Sequence, residues 1–257
     1  MKTAVNNNTK LYYPELIIFD YGHTLLYDPD WDNDRGRMEL FNHITKNPRK
    51  VTAEEFINTF NMVYDRIMEV EEKEGCDISF EAADRTAAEL LGVEFDLTPL
   101  ELQTVYWNYA SKGGVMPNAG KILKFLNETG IKTGVISNLH WSGEALKSRF
   151  DRLLPDNKFE FVVTSCDYMF RKPSKVLFDI ALNKAGITSD KAWHCGDSLE
   201  CDIMGAANAG IFPVWYDNEV IRSEPPRKNP PECEHLHIRD WQELIGILDN
   251  MKGQRNE

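Results

Sequence analysis

The chain has 257 residues, of which 42% are hydrophobic and 27% charged, a composition that fits a protein with a packed core and excludes a disordered chain. This length accommodates one large domain, or a core that carries a second, smaller module. Its 41 Asp and Glu residues outnumber its 29 Lys and Arg residues, and the net charge of −12 argues against nucleic acids and anionic membranes as partners.

The N-terminal segment, residues 1–10, is polar and rich in asparagine. It lacks the apolar run of a signal peptide, and no later stretch approaches the ~20 apolar residues of a membrane span. We therefore expect a cytoplasmic protein without a membrane partner.

Residues 15–20 predict a strand that is buried on both faces, because four apolar residues follow one another before an acid, Asp20. From about 31 to 112, apolar residues recur at helical spacing without strand-like runs, which predicts an all-helical insert. Two helix starts in the insert have the spacing of a capping box: Thr52 with Glu55, and Thr98 with Glu101.

Beyond residue 116 the predicted elements alternate between helix and strand, which indicates a parallel sheet with helices on both faces. Helices are predicted at 119–128, 143–153, 175–185, 202–209 and 241–251, and strands at 132–137, 159–164, 192–196 and 211–215. The last helix follows a loop with four prolines: Pro225, Pro226, Pro230 and Pro231. The predicted fold class is α/β, a doubly wound parallel sheet (residues 1–28 and 113–257) with a smaller helical domain (residues 29–112).

Polar side chains gather where the predicted parallel strands end. Ligands of open parallel sheets bind at these ends, near the point where strand order reverses. The strand ends and the loops after them carry carboxylates, hydroxyls and a lysine: Asp20, Thr24, Ser137, Asn138, Lys172, Asp197 and Asp202. Such a set suits phosphoryl transfer to a carboxylate beside a hard divalent cation.

Four motifs of this chain resemble, in order, those of the haloacid dehalogenase superfamily: FDYGHTL at 19–25, ISN at 136–138, RKP at 171–173 and GDSLECD at 196–202. The last motif is the most specific, and it is followed by GAANAG. The insert after the first motif resembles the family's small helical cap of the C1 type. The resemblance implies a Rossmann-like core, a Mg²⁺ ion and hydrolysis of small phosphorylated metabolites.

The resemblance also implies roles for individual residues. Asp20 is expected to attack phosphorus and form an aspartyl-phosphate. The expected Mg²⁺ ligands are Asp20, the backbone carbonyl of Gly22, and Asp197. The groups expected to bind phosphoryl oxygens are Ser137, the Asn138 backbone amide and Lys172, which also neutralises charge on the nucleophile.

Three further residues have roles that the sequence leaves open. Asp202 either orients a metal-bound water or caps the helix that follows it. Thr24 is expected to hydrogen-bond within the active-site loop, and a purely structural role is an equal alternative. His23 could supply a proton, but we favour a histidine that faces the loop or the cap.

Gly22 departs from the family pattern, in which phosphatases carry a second aspartate two residues after the nucleophile. That aspartate protonates the leaving group and later activates water. Glycine keeps the backbone carbonyl for the metal but removes the acid–base group, a loss that typically costs ~10²–10⁴ in rate. Acyl and aryl phosphates are therefore expected to be the best substrates, because their leaving groups need a proton least.

Other interpretations stay open at this point. A 2-haloacid dehalogenase of the family needs no metal and carries tyrosine where Gly22 stands, and a phosphonate hydrolase requires a cap lysine. A catalytically weak member of the family would bind a phosphorylated ligand or a partner through the same pocket. The alternating Cys233, His235 and His237 imitate a metal site, although chance alternation is the preferred interpretation.

The five cysteines lack CxxC spacing, so we expect them to be reduced and mostly structural: Cys76, Cys166, Cys195, Cys201 and Cys233. Neither the identity of the substrate nor the oligomeric state follows from the sequence.

Overall fold

A computed structural model describes residues 11–75, 77–218, 221 and 233–255. The polar N-terminal segment, Cys76 and the proline-rich loop lie outside the described residues. Among the residues described, no helix combines the length and the apolar character needed to cross a membrane.

The strands are β1 Leu16–Phe19, β2 Leu26–Tyr27, β3 Ile44–Lys46, β4 Glu94–Phe95, β5 Gly114–Val115, β6 Lys132–Ser137, β7 Phe161–Thr164, β8 Ala192–Gly196, β9 Phe212–Tyr216 and β10 Leu236–Ile238. The α-helices are α1 Asn33–Asn42, α2 Ala53–Glu74, α3 Phe80–Leu91, α4 Pro99–Ala110, α5 Ala119–Thr129, α6 Gly143–Leu153, α7 Ser165–Tyr168, α8 Lys175–Ala185, α9 Gly205–Asn208 and α10 Trp241–Arg255. A 3₁₀ turn at Ser189–Lys191 and a π-helical turn at Leu199–Met204 complete the described elements.

Within the described residues, six strands form a central sheet in the order β10-β9-β8-β1-β6-β7, and every neighbouring pair is parallel. From β1 the chain moves to β6 and β7 on one side and then to β8, β9 and β10 on the other. Strand order therefore reverses between β1 and β8, which is where such sheets bind ligands. The predicted α/β fold class, a doubly wound parallel sheet, is confirmed.

The central strand β1 has a core on each of its two faces. Ile17 and Phe19 belong to one buried cluster, while Leu16 and Ile18 belong to the other. All four side chains are fully buried, which explains why the run is continuously apolar instead of alternating.

The segment between β2 and β5 contains α1 to α4. It is not all-helical, because β3 and β4 form a short antiparallel pair in which Ile44 lies opposite Phe95. The capping box of α4 is present in both directions between Thr98 and Glu101. At the start of α2 the Thr52 side chain accepts from the Glu55 amide, and the reciprocal bond is absent among the described hydrogen bonds.

Candidate active site

Asp20 is the first residue after β1 and lies next to the point where strand order reverses. Its backbone amide donates to the Cys195 carbonyl at 2.9 Å, which carries the β1–β8 pairing one residue beyond the strand. The residue is 8% exposed. Burial raises the pKa of Asp20 above its ordinary value; the Lys172 ammonium opposes this effect and the charge of Asp202 adds to it.

Lys172 joins Asp20 to the last motif. Its Nζ lies 2.7 Å from Asp20 Oδ1 and 2.5 Å from Asp202 Oδ1, and the residue is 2% exposed. Burial alone would lower the pKa of Lys172, but the two carboxylates outweigh burial and hold it above its ordinary value. The lysine is therefore cationic at neutral pH and lies against Asp20.

The side chain of Asn138 holds the backbone of Lys172. Its Nδ2 donates to the Lys172 carbonyl at 2.9 Å, and its Oδ1 accepts from the Lys172 amide at 2.7 Å. The following Lys172–Pro173 peptide bond is cis. The two hydrogen bonds between Asn138 and Lys172 fix the loop after β7 against the loop after β6. The sequence offered only the backbone amide of Asn138 as a functional group.

Ser137 is the last residue of β6, and its hydroxyl donates to Asp20 Oδ1 at 3.0 Å. The serine and the lysine therefore converge on one carboxylate oxygen of Asp20. Their convergence follows from the register, since β6 and β1 are adjacent and parallel.

Asp202 contacts the lysine, an interaction that the sequence did not predict. Besides Lys172, its Oδ1 lies 2.9 Å from His194 Nε2, and its Oδ2 accepts from the Ser198 amide at 3.0 Å. Burial would raise the pKa of Asp202, but Lys172 and His194 hold it well below its ordinary value. A Cβ atom on Gly196 would lie 2.2 Å from Asp202 Cγ, so this close approach requires glycine at the end of β8.

His194 was not singled out from the sequence. It lies on β8, is fully buried, and its Nε2 carries the proton toward Asp202 because an ionised carboxylate only accepts. The available signal was a histidine inside an otherwise apolar buried strand, which needs a polar partner.

Asp197 completes a cluster of three carboxylates. One oxygen each of Asp20, Asp197 and Asp202 lies within 4.8 Å of the others. Burial, followed by the like charges of Asp20 and Asp202, raises the pKa of Asp197 from 3.8 to about 8. Three carboxylates face a single lysine, so a divalent cation would balance the charge, and carboxylate oxygens are hard ligands of the kind that Mg²⁺ prefers. The donor set therefore fits the expected ion.

The loop after Asp20 is tightly wound, since the amides of Leu25 and Leu26 both donate to the Tyr21 carbonyl at 3.1 Å. His23 has a φ of 52°, the left-handed conformation that favours glycine. Its Nδ1 is buried without a hydrogen-bond partner among the described residues. A Cβ added to Gly22 meets no atom within 4 Å, so a β-carbon fits at this position without a clash.

Thr24 does not make the hydrogen bond expected within this loop. Its side chain is fully buried, and its hydroxyl has no partner among the described residues. Its carbonyl instead accepts from the indole of Trp241 at 3.2 Å, which ties the loop to α10.

Two acidic residues of the helical segment contact the loops that follow β6 and β7. Asp77 pairs with Arg171 at 2.9 Å and accepts a hydrogen bond from Ser165. Glu71 lies 3.0 Å from His140 Nδ1, in an alignment that is poor for a hydrogen bond. Atoms of Glu71, Asp77 and His140 lie within 4.8 Å of one another, but Asp77 is already paired with a cation. We interpret this group as a contact between the helical segment and the sheet rather than a second metal site.

Comparison with known proteins gives the family. The profile described as haloacid dehalogenase-like hydrolase matches residues 17–215, which is more than half of the chain. The chain belongs to this family. The membership expected from the four motifs is therefore confirmed.

Two curated relatives are named phosphatases. The glyceraldehyde 3-phosphate phosphatase of Pyrococcus abyssi is 30% identical over 144 residues, which cover 55% of this chain and 58% of that protein. The ribulose-1,5-bisphosphate 5-phosphatase of Halopiger xanaduensis is 30% identical over 119 residues, 46% of this chain and 49% of that protein. This haloacid dehalogenase-like hydrolase thus spans about half the length of the curated relatives it matches.

Among solved structures, a HAD phosphatase from Thermococcus onnurineus superposes with a TM-score of 0.53 and 25% sequence identity. The match covers 91% of this chain and 97% of that one. The likeness therefore includes the helical segment as well as the sheet.

Proposed function

We propose that the protein is a Mg²⁺-dependent hydrolase of small phosphorylated metabolites that works through an aspartyl-phosphate on Asp20. The observation that carries this proposal is the position of Lys172, which bridges the nucleophile to Asp202 at 2.7 and 2.5 Å. The names of the two curated relatives support the same reaction class.

In the first step an oxygen of Asp20 forms a bond to phosphorus, and the bond from phosphorus to the leaving oxygen breaks. Lys172 lies where it neutralises charge on the attacking carboxylate and on the phosphoryl group. Ser137 would turn its hydroxyl from Asp20 toward a phosphoryl oxygen when substrate binds. In the second step water attacks phosphorus, and the Asp20 carboxylate and inorganic phosphate are released.

The residues proposed to hold Mg²⁺ are Asp20, the Gly22 carbonyl and Asp197. When bound, the ion would supply positive charge for the phosphoryl oxygens and bring two anions together. Asp202 is left to Lys172 and His194, with which it already makes its closest contacts.

The leaving group receives no proton from residue 22, since glycine has no side chain. Loss of an acid–base group costs ~10²–10⁴ in rate and matters most for an alkoxide leaving group. We therefore propose that acyl and aryl phosphates are turned over faster than alkyl phosphates.

We also propose that residues 29–112 act as a cap over the sheet residues of 1–28 and 113–257. The contacts of Asp77 with Arg171 and Ser165 support this division, because they join the helical segment to the loop that carries Lys172. A chamber closed in this way would admit small substrates and exclude macromolecules.

The experiment is hydrolysis of para-nitrophenyl phosphate, acetyl phosphate and a set of alkyl phosphates, with Mg²⁺ and with a chelator. We expect Mg²⁺-dependent turnover that favours the activated substrates and is lost in Asp20→Asn. The matched control is Asp249→Asn, which makes the same change at an exposed position on α10 and should leave turnover unchanged. Absence of turnover with every substrate would instead favour a ligand-binding member of the family.

A further inference from the structure

The alternating residues Cys233, His235 and His237 do not form a metal-binding cluster among the described residues. The two histidine rings instead lie against Trp215, a residue of β9. The ring of His237 stacks on the Trp215 indole with centroids 4.2 Å apart and planes 18° apart. The ring of His235 lies 6.3 Å away at a steeper angle.

The indole of Trp215 reaches the metal ligand proposed above. Its Nε1 donates to the backbone carbonyl of Asp197 at 3.2 Å. The register places Trp215 opposite Gly196, the last residue of β8, so Asp197 lies one residue beyond the strand pairing. The Trp215 side chain, on the neighbouring strand, therefore holds the backbone of Asp197, whose carboxylate is the proposed metal ligand.

The indole is itself fixed from the outside. His237 covers its face, and His237 Nε2 lies 3.0 Å from a carboxylate oxygen of Asp217. Trp215 is 7% exposed. The contacts form a chain from Asp217 through His237 and Trp215 to Asp197.

We propose that Trp215 is a positioning residue for Asp197: its indole N–H fixes the Asp197 peptide, and His237 fixes the indole. This inference rests on the proposed function, because it takes Asp197 to be a Mg²⁺ ligand. Mg²⁺ demands nearly ideal octahedral geometry. A carboxylate on a fixed backbone therefore binds the ion better than one whose backbone is free to move. Loss of such a supporting contact typically weakens metal binding by ~10–100-fold.

The test compares Trp215→Phe with Trp193→Phe. Both changes replace a buried indole in adjacent strands of the sheet, but Trp193 Nε1 has no hydrogen-bond partner among the described residues. Mg²⁺ binding to the free protein is measured by calorimetry, and the unfolding temperature of each variant is measured without metal. Trp215→Phe should raise the Mg²⁺ dissociation constant by about tenfold, and Trp193→Phe should leave it unchanged.

Each outcome decides the question. Unchanged Mg²⁺ affinity in Trp215→Phe, or an equal loss in Trp193→Phe, overturns the positioning role while leaving the proposed function intact. If the unaltered protein itself fails to bind Mg²⁺, the metal assignment of the proposed function fails and this inference fails with it.

A second measurement covers a Trp215→Phe protein that does not fold. In unaltered protein labelled with ¹⁵N-tryptophan, the Trp215 indole N–H resonance should move during Mg²⁺ titration, and the Trp193 resonance should not. A Trp215 resonance that stays in place while Mg²⁺ binds overturns the proposal.

Discussion

Gly22 lies two residues after Asp20 in open space, since a Cβ there meets no atom within 4 Å. We predict that Gly22→Asp raises kcat/KM for alkyl phosphates by about 10²-fold, because it supplies the missing proton donor. Para-nitrophenyl phosphate should gain much less, as its leaving group needs no proton. The measurement is the ratio of kcat/KM for the two substrate types.

The matched variant is Gly22→Asn, which has nearly the same size but cannot transfer a proton. It should leave the substrate ratio near that of the unaltered protein. An equal gain in both variants would mean that the added side chain acts through packing or metal binding, and an unchanged ratio in Gly22→Asp would mean that another group already donates the proton.

The positions of single residues were predicted from the sequence where each position depends on the residue's own motif. Asp20, Ser137, Lys172 and Asp197 lie together at the strand ends, where the motifs placed them. The side chain of Asn138 was missed because its partner is the backbone of Lys172, 34 residues away. Thr24 was expected to bond locally, yet its loop is tied to α10 through the backbone.

The α2–α3 loop of the helical segment is held to the sheet by buried polar contacts. Asp77, whose side chain is 2% exposed, pairs with Arg171 and Ser165. We predict that Asp77→Asn lowers the free energy of unfolding by ~1–3 kcal/mol, because the buried Ser165 hydroxyl loses a charged acceptor. Arg171, whose side chain is 41% exposed, adds less. Hydrogen exchange of the Phe80 amide should also become faster, since that amide donates across to the His140 carbonyl at 3.0 Å.

The control for this change is Glu94→Gln, which removes the charge from an exposed ion pair with Lys46 inside the helical segment. Exposed pairs contribute only ~0–1 kcal/mol, so stability and Phe80 exchange should stay close to those of the unaltered protein. If Asp77→Asn behaves like Glu94→Gln, the loop is held by its apolar contacts and not by Asp77.

Elements were predicted well where burial dictates the pattern. The predicted bounds of β6, α6, α8 and β8 match the observed ones, because the pattern of apolar residues continues along the whole of each element. Strands β3 and β4 were missed because a strand of two or three residues is too short to show an alternation of apolar and polar residues. The helix expected at 202–209 begins earlier as a π-helical turn at Leu199–Met204, where Asp202 turns inward to Lys172.

At the scale of the whole molecule, the proposed Mg²⁺ ion would compete with protons for Asp197. Without a cation, burial and two like charges raise the pKa of Asp197 from 3.8 to about 8. The folded state then binds this proton more tightly than the unfolded state, so this contribution to stability is present below about pH 4 and is lost as pH rises through about 8. Mg²⁺ needs the ionised carboxylate, so its binding should strengthen as pH rises over the same range.

We predict that the rise in unfolding temperature on adding Mg²⁺ is larger near pH 9 than near pH 6. Thermal unfolding with Mg²⁺ and with a chelator across this range measures the effect. In Asp197→Asn the response should be small at every pH, because the titrating ligand is gone. A response independent of pH in the unaltered protein would show that Asp197 is already ionised at the lower pH.

The short ribbon formed by β2 and β5 has a consequence for how such a chain can change. Leu26 lies opposite Val115 and Tyr27 opposite Gly114, so the polypeptide leaves the sheet and returns to it at neighbouring points. The entropy of closing a loop grows only with the logarithm of its length, and the ribbon already joins the two ends. The length of the helical segment can therefore change at this position at little cost in loop-closure entropy. One contiguous stretch of chain can thus be lengthened or shortened while Asp20 and Lys172 keep their places at the sheet.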